Sequence, residues 1–155
     1  MPSARWLAML SAALGACAPV ERGAPGTDGE EARLGAVWRA DLRAEPVHFA
    51  LPSQREVKVV FSLRNSSRRL VRLDFPTGQH LEVKLCGPDG RVLFLWSEDR
   101  SFAPQASVVT VNPGERLEFE AEVPTRDMVA GGTYAVEALL VGHPETATTL
   151  VLHPL

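Results

Sequence analysis

The chain has 155 residues, with 16 Lys and Arg against 19 Asp and Glu, a formal net charge of −3. A weakly acidic domain of this size has no overall electrostatic reason to bind nucleic acid or an anionic membrane face. Two cysteines are too few for a disulfide scaffold, so stability must come from an apolar core.

Taken in chain order, residues 1–16 carry one charged side chain, Arg5, followed from Trp6 to Leu14 by a run of Trp, Leu, Ala and Met broken only by Ser11. A positive start, a short apolar stretch and small residues at its end form the layout of a secretory signal. The run is well short of the ~20 residues that span a bilayer. Leu14-Gly15-Ala16-Cys17 resembles the lipobox of bacterial lipoproteins. The resemblance implies cleavage before Cys17, a thioether-linked diacylglycerol on its sulfur, and an extracytoplasmic protein tethered to a bacterial membrane, periplasmic or at the cell surface. Several acyl chains, at ~0.8 kcal/mol per buried CH₂, make a lasting anchor. Losing residues 1–16 leaves 15 basic against 19 acidic side chains, a net of −4. With Cys17 lipidated, no intrachain disulfide is expected, and Cys86 reads as a small, partly exposed residue at a strand end.

Residues 17–34 are dominated by Gly, Pro, Ala and acids with no apolar period, the composition of a flexible tether. Such a tether would hold a domain on the order of 20 Å from the membrane surface. Residues 35–155, roughly 120 positions, are enough for one core that buries about two thirds of the unfolded surface.

In that domain the apolar period is two. Val57, Val59, Phe61 and Leu63 alternate with mostly polar neighbours, as do Val71, Leu73 and Phe75, then Leu81, Val83 and Leu85. Each pattern predicts a strand with one buried face. Gly87-Pro88-Asp89-Gly90 predicts a turn into a strand over Arg91–Trp96, completing a hairpin. Further strands are predicted at Ser107–Val111, Arg116–Val123, Thr133–Val141 and Thr146–His153, with Asn112-Pro113-Gly114-Glu115 turning between the first two. Ala36–Leu42 and Val47–Leu51 carry less regular strand patterns. No stretch holds a helical apolar period for three turns. About eight short strands separated by turn residues predict an all-β fold, an antiparallel β-sandwich.

Several landmarks follow in order: Phe61-Ser62-Leu63-Arg64-Asn65, Val71 to Phe75 before Thr77-Gly78-Gln79, Trp96-Ser97 leading to Phe102 and Gln105-Ala106, Pro113-Gly114-Glu115, and Gly132-Thr133-Tyr134-Ala135-Val136. From about Val57 to Val141 this arrangement resembles the BsuPI family of intracellular proteinase inhibitors. The resemblance implies an immunoglobulin-like sandwich with a protein partner, either a protease that it inhibits or, in the alternative reading, components of the cell envelope that it binds as a structural or interaction module without inhibition. Where the family tends to carry aromatic residues, this chain has Cys86 and Val123. Physically, Phe61, Phe75, Phe119 and Trp96 supply core surface. Gly78 is expected at positive φ. Asn65 suits a strand-end turn, and Gly132-Thr133-Tyr134 suits a tyrosine corner.

Catalysis is not expected. His48, His80, His143 and His153 lie in no nucleophile motif, and His143 and His153 precede Pro in loop-like settings. No His-x-His, Cys-x-x-Cys or His-Glu-x-x-His spacing calls for a metal, and nothing calls for a cofactor. The cluster Arg64, Arg68, Arg69 and Arg72 reads as a solvated strand edge. The longest loop within the resemblance is Ser97 to Gln105, and Arg100, Phe102, Pro104 and Gln105 are its candidate binding residues. Phe102 would fill an apolar pocket of a protease or pin the loop to the core, the second being favoured. Pro104 would stiffen the segment, and Gln105 would fix it to the domain.

Overall fold

The computed structural model describes residues 37–155. The signal segment, Cys17 and the tether therefore lie outside the described residues. Nine strands follow one another: β1 (Trp38–Glu45), β2 (Glu56–Asn65), β3 (Val71–Phe75), β4 (Leu81–Cys86), β5 (Val92–Leu95), β6 (Ser107–Val111), β7 (Arg116–Pro124), β8 (Tyr134–Leu140) and β9 (His143–Leu152). All pairings are antiparallel, in a β1-β2-β7 sheet, a β5-β4-β8-β9 sheet and a β3-β6 ladder. The domain is the expected all-β sandwich.

Period-two alternation explains how the layers meet. Val57, Val59, Phe61 and Leu63 of β2 face Leu81, Val83 and Leu85 of β4 and Val136, Ala138 and Leu140 of β8 in one core. Leu73, Phe75 and Val111 close that core from the β3-β6 ladder. The side chain of Phe61, 1% exposed, lies 6.4 Å from the ring of Phe119 directly across the strand pair. Burial of such a side chain contributes about 1.5–3 kcal/mol.

The outer face of the β1-β2-β7 sheet is covered by its own charges. Arg43 reaches across β2 to Glu118 at 3.4 Å, and Lys58 joins Glu45 at 3.1 Å and Glu120 at 3.3 Å. Their aliphatic stems explain how Val60, on this outward face, is only 1% exposed.

Four expectations are corrected. Val47–Leu51 forms no strand, because Pro46 and Pro52 bracket it and supply no N–H. Its Phe49 carbonyl and Leu51 N–H bond instead to Leu155, each at 3.0 Å. His143 is not in a loop but opens β9, where its Nε2 meets the Asp74 carbonyl at 3.0 Å and its ring edge lies 5.5 Å from Phe75. Cys86 is neither partly exposed nor a lone thiol. It is 1% exposed, packs against Ala135 on the outer side of the β4-β8 pair, and is disulfide-bonded.

The fourth correction concerns Gly78. Positive φ occurs at Gly90, Gly114, Gly131 and Gly142, not at Gly78. Glycine suits the position because another chain segment comes close: a Cβ would lie 3.2 Å from the Cβ of Ala103 and 3.3 Å from its nitrogen, tight enough that the neighbour would have to shift.

Candidate functional site

The loop of residues 97–105 leaves the end of β5 and is fastened at several points. Trp96 N–H donates to the Val83 carbonyl at 2.8 Å, extending the β4-β5 pairing by one residue. Ser97 N–H donates to Oε1 of Glu82 at 3.2 Å, and the other oxygen of that carboxylate accepts from Gln79 Nε2 at 2.9 Å. Arg100 N–H then donates to the Ser97 carbonyl at 3.1 Å, a tight turn inside the loop. At the far end Gly78 N–H donates to the Ala103 carbonyl at 2.8 Å. Omitting the Cβ at Gly78 lets the two backbones approach this closely.

Side chains complete the arrangement. The Arg100 guanidinium carbon lies 4.2 Å above the Trp96 ring, and the ring of Phe102 lies 5.8 Å from Trp96, tilted by 40°. A guanidinium over an indole face is attracted by the ring quadrupole, worth about 0.5–1 kcal/mol when exposed. Trp96 Nε1–H is enclosed without an acceptor among the described residues. Beside this cluster a cleft of about 180 Å³ is lined by Lys58, Trp96, Arg100, Glu120, Ala121 and Glu122. The loop thus leans against the free edge of β7, where basic and acidic side chains alternate.

Of the four candidate binding residues, Phe102 is half-buried against Trp96, while Arg100, Pro104 and Gln105 are exposed. Arg100 and Phe102 are brought together on the same indole ring; Pro104 and Gln105 follow on the solvent side. The tie ascribed to Gln105 is made instead by Glu82 and Gln79. In the sequence Glu82 shows only as an outward strand position, so its reach to Ser97 was invisible there.

Other landmarks serve the frame around the loop. Asn65 is fully buried and uses both ends of its amide. Nδ2 donates to the carbonyls of Arg69 at 2.8 Å and Val111 at 3.0 Å, and Oδ1 accepts from Ser67 N–H at 2.9 Å. The phenol of Tyr134 accepts from Val129 N–H at 2.7 Å, making the tyrosine corner. A Cβ at Gly132 would stand 2.7 Å from that ring, so glycine is required beside it.

His80 and Ser107 form a pairing that resembles catalytic chemistry, with Nε2 and Oγ 2.8 Å apart. The Ser107 hydroxyl donates to the Thr77 carbonyl at 3.2 Å, which leaves His80 as the donor in the pair. That polarity is the reverse of a base poised to take a hydroxyl proton. Phe75 stacks on His80 at 4.3 Å, so the pair joins the starts of β4 and β6. Among the described residues no group of three His, Cys, Asp or Glu side chains is placed to hold a metal.

A larger groove of about 490 Å³ lies where β2 begins and β7 ends. Leu51, Pro52, Pro124 and Met128 form its apolar lining, with Arg55 and Arg126 beside them.

The sequence model of the BsuPI family, described as an intracellular proteinase inhibitor, matches residues 47–145. No curated protein matches the chain. Among solved structures, a β-glucosidase of Erythrobacter marinus is 15% identical with a TM-score of 0.43, covering 76% of this chain and 15% of that one. A β-glucuronidase of Bacteroides uniformis is 15% identical with a TM-score of 0.41, covering 72% of this chain and 12% of that one. The putative ApaA protein of Bordetella pertussis is 14% identical with a TM-score of 0.37, covering 76% of this chain and 91% of that one. The chain spans only a small part of the two glycosidases, and likenesses at these scores bear on neither activity nor substrate.

Proposed function

The chain belongs to the BsuPI family of intracellular proteinase inhibitors, and on that footing we propose that it is a proteinase-inhibitor-like domain presenting the loop of residues 97–105 to a protease. The observation that carries the reading is the fastening of this loop at Ser97 and Ala103, within the matched region. A loop already held in one conformation loses little entropy when a partner closes on it. Arg100, Pro104 and Gln105 are exposed for that contact, while Phe102 holds the loop to Trp96. Titrating a panel of subtilisin-like proteases with the full chain tests it. Stoichiometric loss of protease activity supports inhibition; steady cleavage of the chain with no loss of activity across the panel defeats it.

The position of Phe102 favours a second reading. Its ring is engaged by Trp96 rather than presented, which suits a binding module of the cell envelope that contacts partners without entering a protease pocket. Capture of partners from crosslinked envelopes separates the two: a protease favours inhibition, and envelope assembly components favour the module.

The same proposal places the domain outside the cytoplasm, tethered through a lipid on Cys17, so its target differs from that of an intracellular inhibitor. The Leu14-Gly15-Ala16-Cys17 sequence supports it. The chain has two cysteines, and one sulfur cannot carry both a thioether and an intrachain disulfide. Intact mass of the protein from membranes decides. Added diacylglycerol at Cys17 bears out the anchor. A mass lower by two hydrogens, restored by reductant and without lipid, contradicts it and leaves export standing.

A further inference from the structure

Strand register brings together arginines that are far apart in sequence. Arg39 of β1 lies directly opposite Arg64 of β2, and Arg64 lies directly opposite Arg116 of β7. All three are exposed and share the outer face of the sheet, so their Cβ atoms follow one another at about 5 Å. Arg68 and Arg69, both exposed, stand in the turn that follows β2. Like charges placed directly opposite one another oppose strand pairing. Arg116 is relieved by Glu118 at 3.1 Å and Ser62 at 2.9 Å. Arg39, Arg64, Arg68 and Arg69 make no ion pair among the described residues. The next outward row on the same face carries Asp41 and Glu118, either side of Ser62, and the balanced lattice of Arg43, Glu45, Lys58, Glu118 and Glu120 follows it. The net negative charge of the chain thus conceals a concentrated cationic end.

That end is also where the described domain begins. β1 starts at Trp38, opposite Asn65, and Ser66 N–H donates to the Val37 carbonyl at 2.8 Å. The first described residues, Val37 and Trp38, therefore lie beside the arginines. We infer that the arginine end of the β1-β2-β7 sheet is a docking face for the anionic phospholipid headgroups of the membrane that holds the chain. The inference rests on the proposed anchoring through Cys17, which keeps the domain within reach of the bilayer. Guanidinium groups match phosphate oxygens in charge and geometry, and each basic side chain near an anionic surface adds to the attraction. The domain would then sit with its arginine end down.

Vesicle binding by the full chain, produced without lipid on Cys17, tests the row separately from the anchor. Phosphatidylglycerol and phosphatidylcholine vesicles are compared, so that apolar partitioning of the N-terminus cancels in the ratio. The expected result is a preference of roughly tenfold or more for phosphatidylglycerol at low salt, collapsing at about 0.5 M salt. Arg39→Gln/Arg64→Gln/Arg69→Gln should remove that preference with an unchanged circular dichroism spectrum. Arg43→Gln/Lys58→Gln, which takes two cations from the same face away from the row, should keep it within about twofold. Equal binding to the two vesicles, a preference surviving in the triple variant, or tighter binding to an acidic peptide than to phosphatidylglycerol would overturn the inference. Failure of the anchor is read independently from the mass at Cys17.

Discussion

Asn65 and Trp96 both stand where a strand gives way to a loop, yet the two loops are held in different ways. Asn65 is sealed in the protein and its amide is satisfied on both sides by Arg69, Val111 and Ser67. Trp96 is half-buried, its N–H has no acceptor among the described residues, and its ring holds an exposed arginine and a half-buried phenylalanine. The first arrangement maximises satisfaction of buried polar groups, as a frame requires. The second leaves charge and apolar surface together at the solvent, as a binding surface requires. The difference separates the residues that hold the sandwich together from those it displays.

Substitutions can break or sharpen this contrast, and the largest effect is expected at the frame. Asn65→Ala removes the buried bond to the Val111 carbonyl and the part-buried bonds to Arg69 and Ser67 and should cost about 3 kcal/mol in chemical denaturation, while protease binding by the folded fraction stays unchanged. Gly132→Ala pushes a methyl group into the Tyr134 ring and should cost about 2 kcal/mol. Tyr134→Phe, which removes only the bond from Val129, should cost about 1 kcal/mol. Equal costs for these last two would show that the glycine serves the hydrogen bond and not the ring.

At the displayed loop the order reverses. Arg100→Ala and Phe102→Ala should each change stability by about 1 kcal/mol or less and weaken partner binding by at least about tenfold, as expected for central contacts of an interface. The smallest effect belongs to the charged lattice. The Glu45 carboxyl is held below its ordinary value of 4.5, chiefly by the hydrogen bond from Lys58 and then by that from Arg43. Its contribution is therefore present above that value and is lost as pH falls through the lower folded value. Glu45→Gln should flatten the acid side of the stability profile slightly, and salt should shrink the difference because the group is exposed.

Much of the frame was legible because it follows from alternation. Val57 to Leu63 and Leu117 to Val123 place every second side chain in the core, and only a strand does that. Asn65 and Tyr134 were legible as local signals through the bonds to Ser67, Arg69 and Val129 a few residues away, whereas the bond from Asn65 to Val111 was not. β1 was harder to read, since Ala40 and Ala44 give its buried face little apolar contrast. The nine strands include it, but they exclude Val47–Leu51, whose flanking prolines outweighed its apolar residues. The site was legible only as a loop. The tie from Glu82 to Ser97, the approach of Ala103 to Gly78 and the arginine row all join residues far apart in the chain. No periodicity announces such pairs; cross-strand register makes them.

The most direct test of the division between frame and displayed loop is an active-site titration of a subtilisin-like protease with the wild-type chain and with Arg100→Ala/Phe102→Ala, each checked by thermal melting. The expected result is a sharp equivalence point for the wild type and its loss in the double variant, with melting temperatures within a few degrees. Steady cleavage of the wild-type chain without inhibition, or an unchanged equivalence point in the double variant, would contradict the assignment of the loop.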